Sequence, residues 1–454
     1  MDQADRKFRE ARATEMAPAL ADDGVVGVAT SFVDNAGISR VKAVPVARFP
    51  ELAAWGAGFS TAFDYFRADD WVAAPASGAG PVGDQRIIPD LDRVVVLAGQ
   101  SGWAWAPGER YQQDGTPHPH DSRLLLRRIV DDWAEQGVTF RAGIEIEWVI
   151  SAGDGDTFTP AAGGPAYGLG RLTAVSEYCR DLLEVLAAQG VSVAQLHPEY
   201  APGQFELSMA AESPVAAADT SVLVRATVRA IGIRHGFRTS FSPKVDSAGV
   251  GNGGHLHVSP WRDGVNLMSG GDGPYGVTPE GESFAGGVLA HLPALLALGA
   301  PSVVSYLRLV PRHWAGAYAC WGLENREAAL RLVTGSAGSQ GWAANLEIKC
   351  VDLHANPYLL LAGVLAAGAD ATPLPDPVEV DPAALGEAEL ARRGVARLPT
   401  SLRESLDAFL ADRVLGEAFG APLVESIAAV RESELEALGA ASPDDVADAS
   451  RWAH

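Results

Sequence analysis

Carboxylates set into apolar strands are costly to bury unless something neutralises them, and this chain has five short apolar segments that each carry a ligand-type residue, four of them a glutamate. In Ala142-Gly143-Ile144-Glu145-Ile146-Glu147-Trp148-Val149 the glutamates alternate with apolar residues. On a continuous strand both project from one face, roughly 7 Å from each other. Glu199 follows in His197-Pro198-Glu199-Tyr200 and Glu206 in Gln204-Phe205-Glu206-Leu207, with a Pro202-Gly203 turn between them. His255 and His257 repeat the same-face spacing in Gly253-Gly254-His255-Leu256-His257-Val258, and Glu347 stands in Asn345-Leu346-Glu347-Ile348-Lys349. Singly, each has a plain reading: Glu-x-Glu as a solvated outer face, His-x-His as a surface or hydrogen-bonded core pair, Glu206 as an edge charge. Their occurrence together, in order, predicts a fold that gathers them around a cation. Hard carboxylate oxygens with an imidazole suit Mg or Mn. The cysteines, Cys179, Cys320 and Cys350, lie far apart and form no CxxC pair, which argues against structural zinc and a disulfide framework.

Downstream lies a cationic set: Arg308 in Ser305-Tyr306-Leu307-Arg308-Leu309-Val310-Pro311, and Arg326 and Arg331 in Glu324-Asn325-Arg326-Glu327-Ala328-Ala329-Leu330-Arg331. Guanidinium groups bind carboxylate and phosphate bidentately, so these read as anion clamps; the alternative is ion pairing within the local Glu/Arg cluster. A carboxylate-held metal beside an arginine clamp is the apparatus of phosphoryl transfer. Gly249-Val250-Gly251-Asn252-Gly253-Gly254 matches GxGxxG by letter, but a strand ended by Pro260 follows it where a dinucleotide fingerprint needs a helix. Those glycines fit close approach of the backbone to a ligand. No lysine stands in a P-loop context.

The 454 residues carry 57 acids against 35 bases, a net charge of −22, and 47% are hydrophobic. That composition excludes disorder and argues against nucleic acid or anionic lipid as a partner. Met1 to Ala11 is charged and lacks the apolar core of a signal peptide. The uncharged stretch Gly286–Leu307 contains His291, Pro293 and Pro301 and reads as helix, break and strand, so no membrane span is expected. A soluble, cytoplasmic protein is the expectation. A hairpin is predicted over Gly24–Pro50 around Asp34-Asn35-Ala36-Gly37. A Gly/Pro stretch opens residues 78–97, with strands at Ile87-Ile88 and Val94–Leu97, and the Gly, Pro, His and Asp of residues 99–121 mark a domain boundary. An amphipathic helix is predicted at 123–136, and beyond it Ala/Leu-rich helices at 175–189, 214–235, 281–299 and 356–369 alternate with short strands, ahead of an acidic helical tail from 371.

In this order the motifs resemble the glutamine synthetase family over about residues 24 to 370: Asp34-x-x-Gly37-x-x-Arg40-x-Lys42-x-x-Pro45, Glu145-x-Glu147, the Glu199 to Glu206 block, Gly-Gly-His255-x-His257, Arg308-x-Val-Pro, Asn-Arg326 to Arg331, and Glu347 followed by Asp352-x-x-Ala355-Asn356-Pro357-Tyr358. The resemblance implies an α+β fold, with an N-terminal β-grasp domain (1–118) before a catalytic domain (119–454) built on a curved antiparallel sheet with helices. It implies that Glu147, Glu199 and Glu206 hold one divalent metal and Glu145, His255 and Glu347 a second, with two or three ions per site. By the same resemblance His257, Ser259 and Arg331 contact ATP, Arg326 the transferred phosphoryl group, Arg308 the glutamate carboxylate, and Gly251 and Gly253 line the glutamate pocket. Glutamate would be phosphorylated to γ-glutamyl phosphate, from which a nitrogen nucleophile displaces phosphate. Relatives assemble as rings, commonly a dodecamer of two stacked hexamers, with each site between neighbouring subunits.

Departures from the family bear on the nucleophile. Its flap Val-Pro-Gly-Tyr-Glu-Ala-Pro, whose glutamate takes the proton of ammonium, is here Val310-Pro311-Arg312-His313-Trp314-Ala315-Gly316. Its ammonium-side Asp-Gly-Ser-Ser is replaced by Gly58-Phe59-Ser60-Thr61-Ala62-Phe63, and its Arg-x-Glu-x-Arg by Asn345-x-Glu347-x-Lys349. An indole is no base. Trp314 instead offers a larger amine a packing surface and a cation–π face. The expected enzyme is therefore an ATP- and Mg2+- (or Mn2+-) dependent ligase joining L-glutamate to ethanolamine, a polyamine or an alkylamine. Two alternatives stand beside it: a glutamine synthetase using ammonia, with Trp314 only packing the flap, and a catalytically silent ring-forming relative. No tyrosine follows Tyr358, so adenylylation has no acceptor in the C-terminal region.

Overall fold

Alternating apolar residues on either side of Asp34-Asn35-Ala36-Gly37 form the expected hairpin, β1 (Gly27–Val33) and β2 (Ser39–Pro45). Asp34 Oδ1 accepts from the backbone N–H groups of Ala36 and Ile38 and closes the turn. Gly37 sits at φ +80°, where a Cβ would meet the His354 carbonyl at 2.0 Å. The computed structural model describes residues 1–74 and 82–454; the Gly/Pro stretch expected from residue 78 lies, through residue 81, outside them. Strands β3 (Ala57–Ser60), β4 (Asp84–Pro89), β5 (Val95–Val96) and β6 (Trp103–Gln112) complete a sheet of order β2-β1-β6-β4-β3, with β5 beside β6. The stretch expected as a boundary thus contains β6, which joins this sheet parallel to β1.

Helices Gln3–Asp22 and Phe49–Trp55 cover one face of the sheet and pack Ala13, Leu20, Phe49 and Leu52 on Val28 and Ala104. The first helix was not anticipated. It buries only Ala13 and Leu20, too sparse an apolar pattern to register, and starts on a capping box between Asp2 and Asp5.

The rest of the chain builds two more sheets. One has the order β11-β8-β10-β9, from β8 (Ile146–Ala152), β9 (Val193–Pro198), β10 (Gln204–Met209) and β11 (Phe237–Ser240). The other has the order β13-β12-β16-β15-β14-β17, with β7 (Val138–Ile144) on β12 (Leu256–Arg262); its remaining strands are β13 (Val265–Asn266), β14 (Tyr318–Leu323), β15 (Ala328–Val333), β16 (Asn345–Ile348) and β17 (Ala396–Arg397). β7 belongs to one sheet and β8 to the other, so the chain changes sheets at Glu145. This corrects the expectation of one continuous strand carrying both glutamates on a common face. The apolar alternation runs unbroken through Ile144 and Ile146, both buried, while the hydrogen-bonding partners change between them.

Helices Ser122–Glu135, Ser176–Ala188, Pro214–Arg234, Pro279–Gly299 and Pro357–Ala367 appear where expected and share one core with the two sheets. Pro279–Gly299 is long and apolar enough to cross a membrane, yet two-thirds of its apolar window (67%) is buried within the protein. It runs through Pro293, and Ser305–Arg308 is a helical turn, not the strand expected after the break. Backbone N–H groups of Ser305 and Tyr306 bond back to the carbonyls of Ser302 and Val303, leaving no free edge for a sheet partner. Regular helix in the tail begins only at Glu387, after an extended segment bearing Pro373, Pro375 and Pro377. The mixture of an N-terminal sheet grasped by helices and a two-sheet helical body is the expected α+β fold.

Candidate active site

Cross-strand register gathers the ligand-type residues. Glu147 pairs with Glu206, and Glu206 with His197. His257 pairs with Glu347, and Glu347 with Arg331. The sheet change at Glu145 aims its carboxylate at the second set and leaves Glu147 in the first. All seven of these and their neighbours His255, Glu199, Arg308, Trp314 and Arg326 line one cavity of about 930 Å3, together with Gly251 and Lys349.

On one side, His255 Nδ1 lies 2.9 Å from Glu145 Oε2 and 3.3 Å from Glu347 Oε1, and His257 Nε2 lies 3.1 Å from Glu145 Oε1. Lys349 Nζ and Arg331 Nη1 each donate to Glu347 at 3.0 Å. Burial alone would raise the Glu347 carboxyl, but Lys349 and both histidines pull it down to about 2. Glu145 is likewise held well below its ordinary value, against its burial, by His255 and His257. His257, whose charged form burial disfavours, is raised to about 9 by Glu145 and Glu347. This half carries its own cations.

The other half does not. Glu147 is buried and pushed up to about 8 by burial and by Glu206 and Glu199, despite Arg308 and an N–H from Gly253. Glu199 is raised by burial and Glu206. His197, drawn up to about 9 mainly by its bond to Glu206, lies 3.3 Å from Glu206 Oε1 and 3.4 Å from Glu199 Oε1, and His255 Nε2 lies 3.9 Å from Glu147 Oε1. Three carboxylates crowded together, two of them raised by burial and by one another's charge, suit the donor set of a divalent cation. Glu145, His255 and Glu347 offer ligand atoms within 4.8 Å of one another, as do His197, Glu199 and Glu206. The residues therefore fit divalent metal on both sides.

Arg308 is buried and donates to His255 Nε2 at 3.0 Å and to the carbonyls of Val351 and Lys349, both at 3.2 Å. The glycines permit this: a Cβ on Gly251 would meet Arg308 Cγ at 2.8 Å, and one on Gly253 would meet Arg308 Nη2 at 2.7 Å and Glu147 Oε1 at 2.8 Å. Arg331 also pairs with Glu324, so the local ion-pair reading applies to it in part. Exposed Arg326, in the turn between β14 and β15, has no ion pair among the described residues and faces the cavity free. Ser259 lies farther along β12, buried, and its hydroxyl accepts from the Trp261 indole 2.9 Å away; it does not line the cavity.

Several residues escaped the sequence reading of the site. No role is assigned to His197 from sequence, although its two-residue spacing from Glu199 was a usable signal. Gln204 Nε2 donates to Glu147 Oε2, the Gly251 carbonyl and Asn252 Oδ1 at 2.9–3.0 Å, tying the ligand to the glycine segment. Trp314, in the flap, is 52% exposed and stands at the cavity with φ +54°.

Comparison with known proteins agrees with this geometry. Residues 119–447 match the family described as glutamine synthetase, catalytic domain. Gamma-glutamylpolyamine synthetase GlnA3 of Streptomyces coelicolor is 55% identical over 448 residues, covering 97% of this chain and 96% of that protein. A glutamine synthetase of Pyrococcus abyssi is 32% identical, covering 93% and 94%. Among solved structures, a novel glutamine synthase homolog superposes with a TM-score of 0.85 at 33% identity over 95% of this chain and 99% of its own. A GmaS/ADP complex gives 0.81 at 26% identity over 94% and 97%. The chain belongs to the glutamine synthetase family, resembles its γ-glutamyl-amine ligase branch, and is an ATP-dependent carbon–nitrogen ligase.

Proposed function

We propose that this enzyme joins L-glutamate to a polyamine as a γ-glutamyl amide, through γ-glutamyl phosphate. The observation that carries this reading is the exposed Trp314 indole at the cavity, where a base for ammonium would stand. The 55% identity to a protein named for γ-glutamylpolyamine synthesis supports the polyamine over ethanolamine or a simple alkylamine.

In this reading Arg308, seated among Gly251, Gly253 and His255, binds the glutamate carboxylate. Glutamate's γ-carboxylate oxygen attacks the terminal phosphorus of ATP, forming an O–P bond as ADP leaves. Free Arg326 meets the charge on the group in flight, and His257 and Arg331 hold the nucleotide phosphates. Divalent ions, Mg2+ or Mn2+, two or three per site, would supply phosphate neutralisation at the Glu145–His255–Glu347 and Glu147–Glu199–Glu206 sets. The amine nitrogen then attacks the acyl carbon, and phosphate departs. Trp314 packs on the amine's carbon chain and faces its charge.

Among the described residues none that lines the cavity precedes Glu145, so the described part of residues 1–118 of the same chain adds nothing to its wall. That supports a ring assembly, a dodecamer of two hexamers, in which a neighbour's N-terminal domain covers the amine side. The free, buried thiols of Cys179, Cys320 and Cys350 suit the cytoplasm.

Phosphate release from ATP and glutamate, measured with ammonium, ethanolamine, putrescine, spermidine and alkylamines in parallel, tests the proposal. Turnover is expected with polyamines. Turnover with ammonium alone would make the enzyme a glutamine synthetase, and none with any amine would support a silent relative.

A further inference from the structure

Glu327 follows Arg326 in sequence but turns away from the cavity, 6% exposed, toward the flap. Its Oε2 accepts the backbone N–H of Arg312 at 3.1 Å, and its Oε1 that of Trp314 at 2.8 Å. Those two residues stand at φ +65° and +54°, a region that non-glycine residues seldom adopt. Nothing else regular holds them, since residues 309–317 form neither helix nor strand and Arg312, His313 and Trp314 are all exposed. The other end of the clamp is fixed. The backbone N–H of Glu327 donates to Asn325 Oδ1 at 3.1 Å, and Asn325 Nδ2 donates to the carbonyls of Val378 at 2.8 Å and Val380 at 3.1 Å.

We propose that Glu327 is the positioning residue of the amine-side wall. Each of its oxygens holds one N–H of the flap, the pair of bonds stabilises two left-handed residues on either side of His313, and the Trp314 indole is thereby stood at the cavity mouth to select a large amine. A carboxylate suits this because it presents two acceptors and no donor. The selection depends on the amine-ligase reading; the clamp itself does not.

Glu327→Gln is nearly isosteric but sets an amide N–H2 against a backbone N–H, and Glu327→Ala removes both acceptors. In the full-length protein both variants are compared with wild type by tryptic cleavage at Arg312–His313, scored by mass spectrometry against cleavage after exposed Arg392. The clamp predicts cleavage at Arg312 accelerated about fivefold or more in both variants, with the polyamine KM raised about tenfold and the KM for ATP changed less than about twofold. A residue that only fills space would leave Glu327→Gln like wild type. Wild-type cleavage rates in both variants would overturn the clamp whatever the amine proves to be. Faster cleavage with an unchanged polyamine KM would overturn the selective role. Wild-type enzyme without polyamine turnover would instead refute the ligase reading, and the cleavage result would still decide the clamp.

Discussion

Beside the N-terminal sheet Asp64, His118 and His120 bring one ligand atom each within 4.8 Å of one another, as His197, Glu199 and Glu206 do in the catalytic cavity. Judged by spacing alone the two clusters are equals. Judged by charge they are not. Arg110 lies fully buried between Asp64 and Asp121, pairing with both, and stacks 4.3 Å over Phe32. Asp64, which burial would raise, is held at about 2 by Arg110 and the histidines, while burial and Arg110 push His118 down to about 4. That cluster is closed by its own arginine. In the cavity Glu147, Glu199 and Glu206 crowd together beside His197 and His255, and Glu147 is driven up to about 8 despite Arg308. Proximity of ligand-type side chains thus does not by itself make a metal site; on the Glu147 side a charge deficit stands beside it.

The largest expected effect breaks the closed cluster. Arg110→Met leaves Asp64 and Asp121 buried without a counter-charge and should destabilise the protein by about 3–5 kcal/mol, with no recovery in Mg2+. Calorimetric unfolding with and without Mg2+ checks this, and recovery by the metal would make the two clusters alike. Next is the open cluster. Mg2+ or Mn2+ at roughly a hundred times its Kd should stabilise wild type by about 2.7 kcal/mol. Glu147→Gln removes a carboxylate that is costly to ionise, so its metal-free form should be no less stable than wild type while the metal's stabilisation shrinks. An undiminished metal effect in the variant would remove Glu147 from the ligand set.

The smallest effect is a pH dependence to which the closed cluster contributes through His118. His118 titrates in the folded protein near 4 and in the unfolded chain near 6.5, so unfolding binds a proton as pH falls below 6.5. Stability is therefore present above pH 6.5 and lost as pH falls toward 4, by about 1 kcal/mol per pH unit. Urea unfolding at saturating Mg2+ measures the slope. His118→Gln should lessen the slope, leaving the part due to buried His354 and His454, and an unchanged slope would remove His118 from the titrating groups.

The cavity was legible in the sequence to the extent that its residues sit on alternating strands. Glu147, Glu206, His257 and Glu347 announce themselves as polar breaks in apolar segments, and the register carries them together. Three things were hidden because no local pattern encodes them. The change of sheet at Glu145 leaves the alternation intact and alters only the pairing partners. Ser305–Arg308 is apolar enough for a strand and becomes a helical turn through its own backbone bonds. Glu327 reads as one more charge in a Glu/Arg run, and its function lies in two N–H groups more than ten residues earlier in the chain. The helix Gln3–Asp22 is a fourth case, stabilised at its cap and by two buried residues, without an apolar stripe.

The central claim is that this cavity selects a polyamine over ammonium. With isotope-labelled glutamate, ATP and Mg2+, and equal concentrations of ammonium and spermidine in one reaction, mass spectrometry of the products measures that choice directly. The account predicts γ-glutamylspermidine as the main labelled product with glutamine a minor one, and labelled glutamine as the main product would contradict it.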